Sequence, residues 1–86
     1  MDINQLLEVV KKKINQNVVC EKIEIEDKTF LHKTHKSFQS GKFHIKIKIK
    51  SLYLNKLNKI DSSKIIHKIL KDELNKYIHS IQILIN

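Results

Sequence analysis

His32 and His35 stand three residues apart in IEDKTFLHKTHKSF, the stretch from Ile25 to Phe38, a polar passage between two strand-like segments. Neutral imidazole is a competent metal ligand near neutral pH. Two histidines do not close a zinc site, which takes four ligands. On spacing alone the pair is either part of a larger ligand set or two solvated loop side chains. Lys46, Lys48 and Lys50 form a second candidate. Alternate positions on one strand put three ammonium groups on one face, and such a row gives salt-dependent contact to phosphates. The competing reading is cross-strand pairing with Glu24 and Glu26, worth about 0.2–1 kcal/mol per pair. A KH-type RNA clamp uses a GxxG loop, whereas Gly41 is the single glycine and no aromatic residue interleaves the lysines. Nucleic-acid binding through the basic sheet face is therefore the alternative function.

Enzymatic chemistry finds little support. The sequence has no glycine-rich phosphate loop, and its histidines, hydroxyls and carboxylates form no nucleophile–base–carboxylate set that spacing can justify. Ser62-Ser63 lacks a nucleophile-elbow context. Cys20 reads as a small buried hydrophobe, with nothing nearby to activate a thiolate. As the single cysteine it cannot form an internal disulfide, which fits a reducing compartment.

The elements that must position these residues fit one small domain, 1–86. A chain of this length hides roughly 60–65% of its unfolded surface, enough for a thin core. Net charge is +8 and apolar content 41%, so an acidic partner is expected, set against simple solubility. No apolar stretch reaches the ~20 residues of a membrane span. Met1-Asp2-Ile3-Asn4 does not open a secretory signal. The expected location is the cytoplasm or nucleus, or the mitochondrion if a targeting segment is missing.

Asp2 and Gln5 predict a capping box, and Ile3, Leu6, Leu7, Val10 and Ile14 recur at helical spacing up to Asn15–Asn17. Val19 to Asp27 reads as a strand and Lys28 to Lys42 as a loop. In Phe43–Lys50, isoleucines alternate with His44 and the lysines, which predicts a strand with one buried and one wet face. Ser51 to Asn58 reads as a connector, with Asn55 as a left-handed turn residue. Asn58 or Asp61 caps a second helix carrying Ile65, Ile66, Ile69, Leu70 and Leu74. Ile78 to Ile85 alternates again. The order α-β-β-α-β predicts an α+β fold: a three-stranded mixed sheet with both helices on one face and the other face open.

Three blocks carry a family resemblance. Asp27-Lys28-Thr29-Phe30-Leu31-His32 is similar to the opening D-x-S/T-x-x-H of the BolA-like proteins. His44-Ile45-Lys46-Ile47-Lys48-Ile49-Lys50-Ser51 is similar to their H-F/I-x-V-x-I/V-x-S run. Asp72-Glu73-Leu74 with Ile78-His79-Ser80-Ile81 is similar to their E-E-L-x-x-x-I/V-H-A/S-L/I pattern. The register is gapless from His44 onward, and the chain resembles the family over nearly its whole length.

The resemblance implies a type II KH-like fold and a non-enzymatic adaptor. The implied partner is a CGFS monothiol glutaredoxin, and the implied role lies in iron–sulfur cluster trafficking or iron homeostasis. It also implies a 2Fe-2S cluster shared with glutaredoxin and glutathione. A helix histidine and a loop histidine or cysteine of the BolA-like partner hold one iron.

Here the loop ligand falls on His32 or His35. The helix histidine of the family's R-H-R falls on Ser63, within Ser62-Ser63-Lys64, and the preceding F-x-G on Leu54-Asn55-Lys56. A hydroxyl is hard and weakly basic, whereas clusters are held by thiolates or imidazoles. His67 lies one helical turn later, about 6 Å along the axis, and is the displaced candidate; the plainer reading packs it beside Ile66 and Leu70 with its ring edge in water. The implied ligand set is His32, His35 and His67, and the implied partner face is Ser63, Lys64 and His67. His44 and His79 match framework positions of the family, with His44 on the open sheet face. The expected state is a monomer alone, or a heterodimer with the partner.

Overall fold

The fold is α+β, seen in a computed structural model that describes residues 2–29 and 42–86. Helix α1 spans Ile3–Asn17, strand β1 Lys22–Asp27 and strand β2 Phe43–Lys50; helices α2, α3 and α4 span Leu52–Asn55, Lys59–Ile69 and Lys71–Lys76, and strand β3 Ile78–Ile85. The sheet order is β1-β2-β3. β1 pairs antiparallel with β2, placing Ile23 opposite Ile49 and Ile25 opposite Ile47. β2 pairs parallel with β3, placing Ile45, Ile47 and Ile49 opposite Ile81, Ile83 and Ile85. Both pairings match the expectation.

The capping box forms: Gln5 N–H donates to Asp2 Oδ1 at 2.8 Å, and Asp2 N–H to Gln5 Oε1 at 3.2 Å. Leu6, Val10 and Ile14, four residues apart, are fully buried, as one stripe of an amphipathic helix should be. They meet the odd-numbered isoleucines of β2, together with Leu54, Ile66, Leu70 and Ile78, in one core. The β-branched isoleucines favour strands because their stiff side chains pack well on a pleated surface.

Three local expectations are corrected. β1 starts at Lys22, not Val19. Lys22 already lies opposite Lys50, the last residue of β2, so nothing remains for Val19 and Cys20 to pair with in register. The connector contains α2, and Asn55 is helical rather than a left-handed turn residue. Ser51 nucleates that turn: its Oγ accepts from Leu54 N–H at 3.2 Å and donates to the Val19 carbonyl at 2.8 Å. The second long helix is broken at Leu70, whose φ −99° and ψ 17° end α3 and open α4. Leu70 is fully buried at this corner, so tertiary packing sets the break without a glycine or proline. Between the two proposed caps, the side chain of Asn58 accepts from Asp61 N–H at 2.8 Å.

Candidate functional site

Two of the described histidines come together at one end of the sheet. His44, the second residue of β2, projects on the face opposite the core and is nevertheless only 4% exposed. Its Nδ1 lies 2.5 Å from Ser80 Oγ. Its backbone N–H donates to Thr29 Oγ1 at 3.2 Å, and its carbonyl accepts from Lys28 N–H at 2.7 Å. Thr29 is itself fixed by Asp27, whose Oδ1 accepts from Thr29 N–H at 2.9 Å. The chain leaving β1 is thus tied to His44.

The β2–β3 register shifts here: Phe43 lies opposite Ile78 but His44 opposite Ser80. His79 is therefore the extra residue of a bulge, a device that re-aims a side chain. Its ring faces that of His44, with centroids 4.7 Å apart and planes inclined by 54°. By sequence both match framework positions, and strict alternation of β3 does not bring them together. A signal was present. Counting back by twos from Ile81, Ile83 and Ile85 puts His79 in the core and Ile78 outside, yet Ile78 is buried and His79 exposed. The slip in apolar parity between 78 and 81 marks the bulge.

The helix residues form a separate surface. Ser63 is half-buried, Lys64 and His67 are exposed, and with Lys59 and the 68%-exposed Ile60 they line a shallow depression of about 450 Å³. Ser63, Lys64 and His67 therefore share one face of α3. His32 and His35 lie outside the described residues. Among the described residues no group of three or more histidine, cysteine, aspartate or glutamate side chains is placed to hold a metal.

On the non-core face of the sheet, Lys46 and Lys48 are half-buried and Lys50 exposed. Lys48 Nζ lies 3.2 Å from Glu26 Oε1, Lys28 Nζ 2.9 Å from Glu26 Oε2, and Lys22 Nζ 2.9 Å from Glu24 Oε1. Lys28 and then Lys48 hold the Glu26 carboxyl below the ordinary carboxylate range, and Lys22 does the same for Glu24. The cross-strand reading of the lysines is thus realised at Lys48. Cys20 is half-buried, its Sγ 3.5 Å from the Val18 carbonyl, and burial pushes its thiol up.

The family pattern of a BolA-like protein matches residues 14–86, which takes in all three strands and both ends of the histidine site. The chain belongs to the BolA-like family. Solved BolA structures share its fold. The BolA domain of SufE1 from Arabidopsis thaliana superposes with a TM-score of 0.79 at 19% identity, covering 100% of this chain and 93% of that one. BolA1 from Arabidopsis thaliana gives 0.75 at 20% identity, covering 92% and 87%. BolA1 from Mus musculus gives 0.72 at 17% identity, covering 90% and 60%. No curated protein matches this chain. Within this BolA-like fold, no helix among the described residues is long and apolar enough to cross a membrane.

Proposed function

We propose that this BolA-like chain is a non-enzymatic adaptor that binds a CGFS monothiol glutaredoxin and shares a 2Fe-2S cluster with it, in iron–sulfur trafficking or iron homeostasis. The observation that carries the reading is the bulge that turns His79 toward His44. It leaves one exposed imidazole at the end of the sheet, against His44, which follows Phe43 and whose backbone N–H donates to Thr29. The segment bearing His32 and His35 enters and leaves the fold at those same two places. Imidazoles are accepted cluster donors, as in Rieske-type centres where histidines replace cysteines on one iron. The Ser63 hydroxyl does not fit that role.

His79 is the ligand supplied by the folded sheet, and His32 is its complement from the loop. His44 positions His79. Lys64 and His67, beside exposed Ile60, supply the docking face for an acidic partner surface. In this scheme the cluster is cargo that the glutaredoxin and glutathione thiolates bring to the chain.

The test is anaerobic reconstitution with a CGFS glutaredoxin, glutathione, iron and sulfide, followed by visible circular dichroism. His79→Ala and His32→Ala should each abolish the heterodimer's cluster signal. His67→Ala should weaken docking yet leave the spectrum of the complex that still forms unchanged. No complex at micromolar concentrations would overturn the adaptor reading. Loss of the cluster signal with His67→Ala, and its survival in His79→Ala, would overturn the ligand assignment alone.

A further inference from the structure

The two edges of the sheet differ in chemistry. β1, at one edge, carries Lys22, Glu24, Glu26 and Asp27 among its six residues. β3, at the other edge, runs IHSIQILI without a lysine, arginine, aspartate or glutamate, in a chain that is 30% charged. Natural edge strands are normally blunted by charges, prolines or bulges, because their outward N–H and C=O groups are a template for another strand. The bulge at His79 guards only the start of β3, and from Ser80 to Ile85 the edge is regular. Among the described residues no strand pairs with its outer edge.

We infer that β3 is the docking edge for a second copy of this chain, paired antiparallel about a two-fold axis through Gln82. The two three-stranded sheets then join into one of six strands. Directly opposite residues of an antiparallel pair share a face. In this register Gln82 meets Gln82 of the second copy, Ile81 meets Ile83, and Ser80 meets Leu84. The isoleucines stay on the helix-covered face, which a one-residue slip would not allow.

The helix side of β3 offers space for them. A depression of about 310 Å³ opens there, its apolar wall made by Leu54, Leu57, Ile83 and Ile85 and its polar rim by Lys59, Ser62 and Ser63. Ile81 of the second copy, lying opposite Ile83, fills it. Each copy has one such edge, so the two-fold contact closes at a dimer and does not propagate.

Charge and area set the strength of the contact. The central strands of the two copies lie three strand spacings apart, about 14 Å. That exceeds the Debye length of about 8 Å at physiological salt, so the Lys46/Lys48 rows repel each other little there. At low salt the +8 charge on each copy opposes association. The contact strip is about 26 Å long and 10 Å deep, well under the ~800 Å² per partner of a standard interface. The dimer is therefore weak, concentration-dependent and strengthened by salt. A charged strand from another protein would find no complementary side chain along β3.

Sedimentation equilibrium at roughly 0.1–1 mM protein, at low salt and at about 0.5 M NaCl, should show a dimer fraction rising with both protein and salt. In a Cys20→Ser background, Gln82→Cys should cross-link to a disulfide dimer under mild oxidation, because opposite Cβ atoms lie about 4.5–5.5 Å apart. Ile83→Lys should abolish both signals. Leu84→Lys, on the non-core face, serves the same purpose should Ile83→Lys lose its far-ultraviolet circular dichroism. A monomer throughout the range, or Gln82→Cys cross-linking no faster than a Lys22→Cys control on the β1 edge, would overturn the inference. So would dimerisation that survives Leu84→Lys in a folded protein.

Discussion

Lys13 Nζ lies 2.8 Å from both carboxylate oxygens of Glu73, sixty positions along the chain. The pair bolts α1 to α4, the short helix that leads into β3. The two side chains differ in environment: Glu73 keeps 7% of its surface and Lys13 35%. The carboxylate is therefore committed to this contact, while the ammonium has access to water.

That asymmetry predicts the outcome of breaking the pair. Removing one partner of a buried pair is damaging mainly through the charge left behind. Lys13→Met strands a buried carboxylate, so its thermal midpoint should fall several degrees below that of Glu73→Gln, whose Lys13 re-solvates. Calorimetry of the two variants checks the order. The hydrogen bond to Glu73 raises the Lys13 pKa above 10.5. The folded state thus binds this proton more tightly than the unfolded chain does. The contribution is complete below pH 10.5 and fades as pH rises through the folded value. Lys13→Met should lack that alkaline loss.

The acid side has the opposite sign. Lys28 and Lys48 lower the Glu26 pKa, and Lys22 lowers that of Glu24, from a reference of 4.5. Both carboxylates stabilise the fold above that value, and the contribution disappears as pH falls through their depressed folded values. Glu24 is exposed and Glu26 half-buried, and both side chains still reach solvent, so salt should shrink the effect. Carbon-detected NMR titration should place Glu26 below 4.5 and return it toward 4.5 in a Lys28→Ala/Lys48→Ala variant. An unchanged midpoint would remove the ion pairs as the cause.

What the sequence discloses divides along the range of the forces involved. The capping box at Asp2, the α1 stripe and the alternation of Phe43–Lys50 are local periodicities, and both strand pairings follow from them with the crossover rule. The start of β1 is not legible, because it is set by where Lys50 stops and not by Val19 or Cys20. The break at Leu70 has no local marker, since a buried leucine at a corner is written like a leucine in a stripe. The same holds for the site. Ser63, Lys64 and His67 share a helix face because their spacing demands it. The approach of His44 and His79 needs a one-residue slip of β3, which the sequence marks only by the break in apolar parity between Ile78 and Ile81.

Ser51 is a small residue with an outsized structural role. It is fully buried, its hydroxyl caps α2 through Leu54 N–H, and it donates to the Val19 carbonyl. One oxygen thus joins the ends of β2 and α1. Ser51→Ala removes a helix cap and leaves the Val19 carbonyl without that donor, which together should lower unfolding free energy by about 1–3 kcal/mol. Urea denaturation should show this as a lower midpoint with an unchanged slope. Thr, which keeps the hydroxyl, should recover part of the loss. A neutral Ser51→Ala would show that water replaces both contacts.

The lysine row sets a ceiling on any nucleic-acid affinity it supports. Each phosphate neutralised on a duplex contributes about −0.9 to the slope of log K against log salt, so three lysines give about −2.7 at most. Lys48 is already held by Glu26 at 3.2 Å, and engaging it means breaking that pair. Binding of a random duplex, followed by fluorescence anisotropy at low salt, should therefore be weak, with a slope between about −1.8 and −2.7. It should vanish in Lys46→Glu/Lys48→Glu/Lys50→Glu. A slope much steeper than −3 that survives the triple replacement would move the contact off the sheet, onto other lysines of this +8 chain, because three ammonium groups cannot release more counterions than they displace.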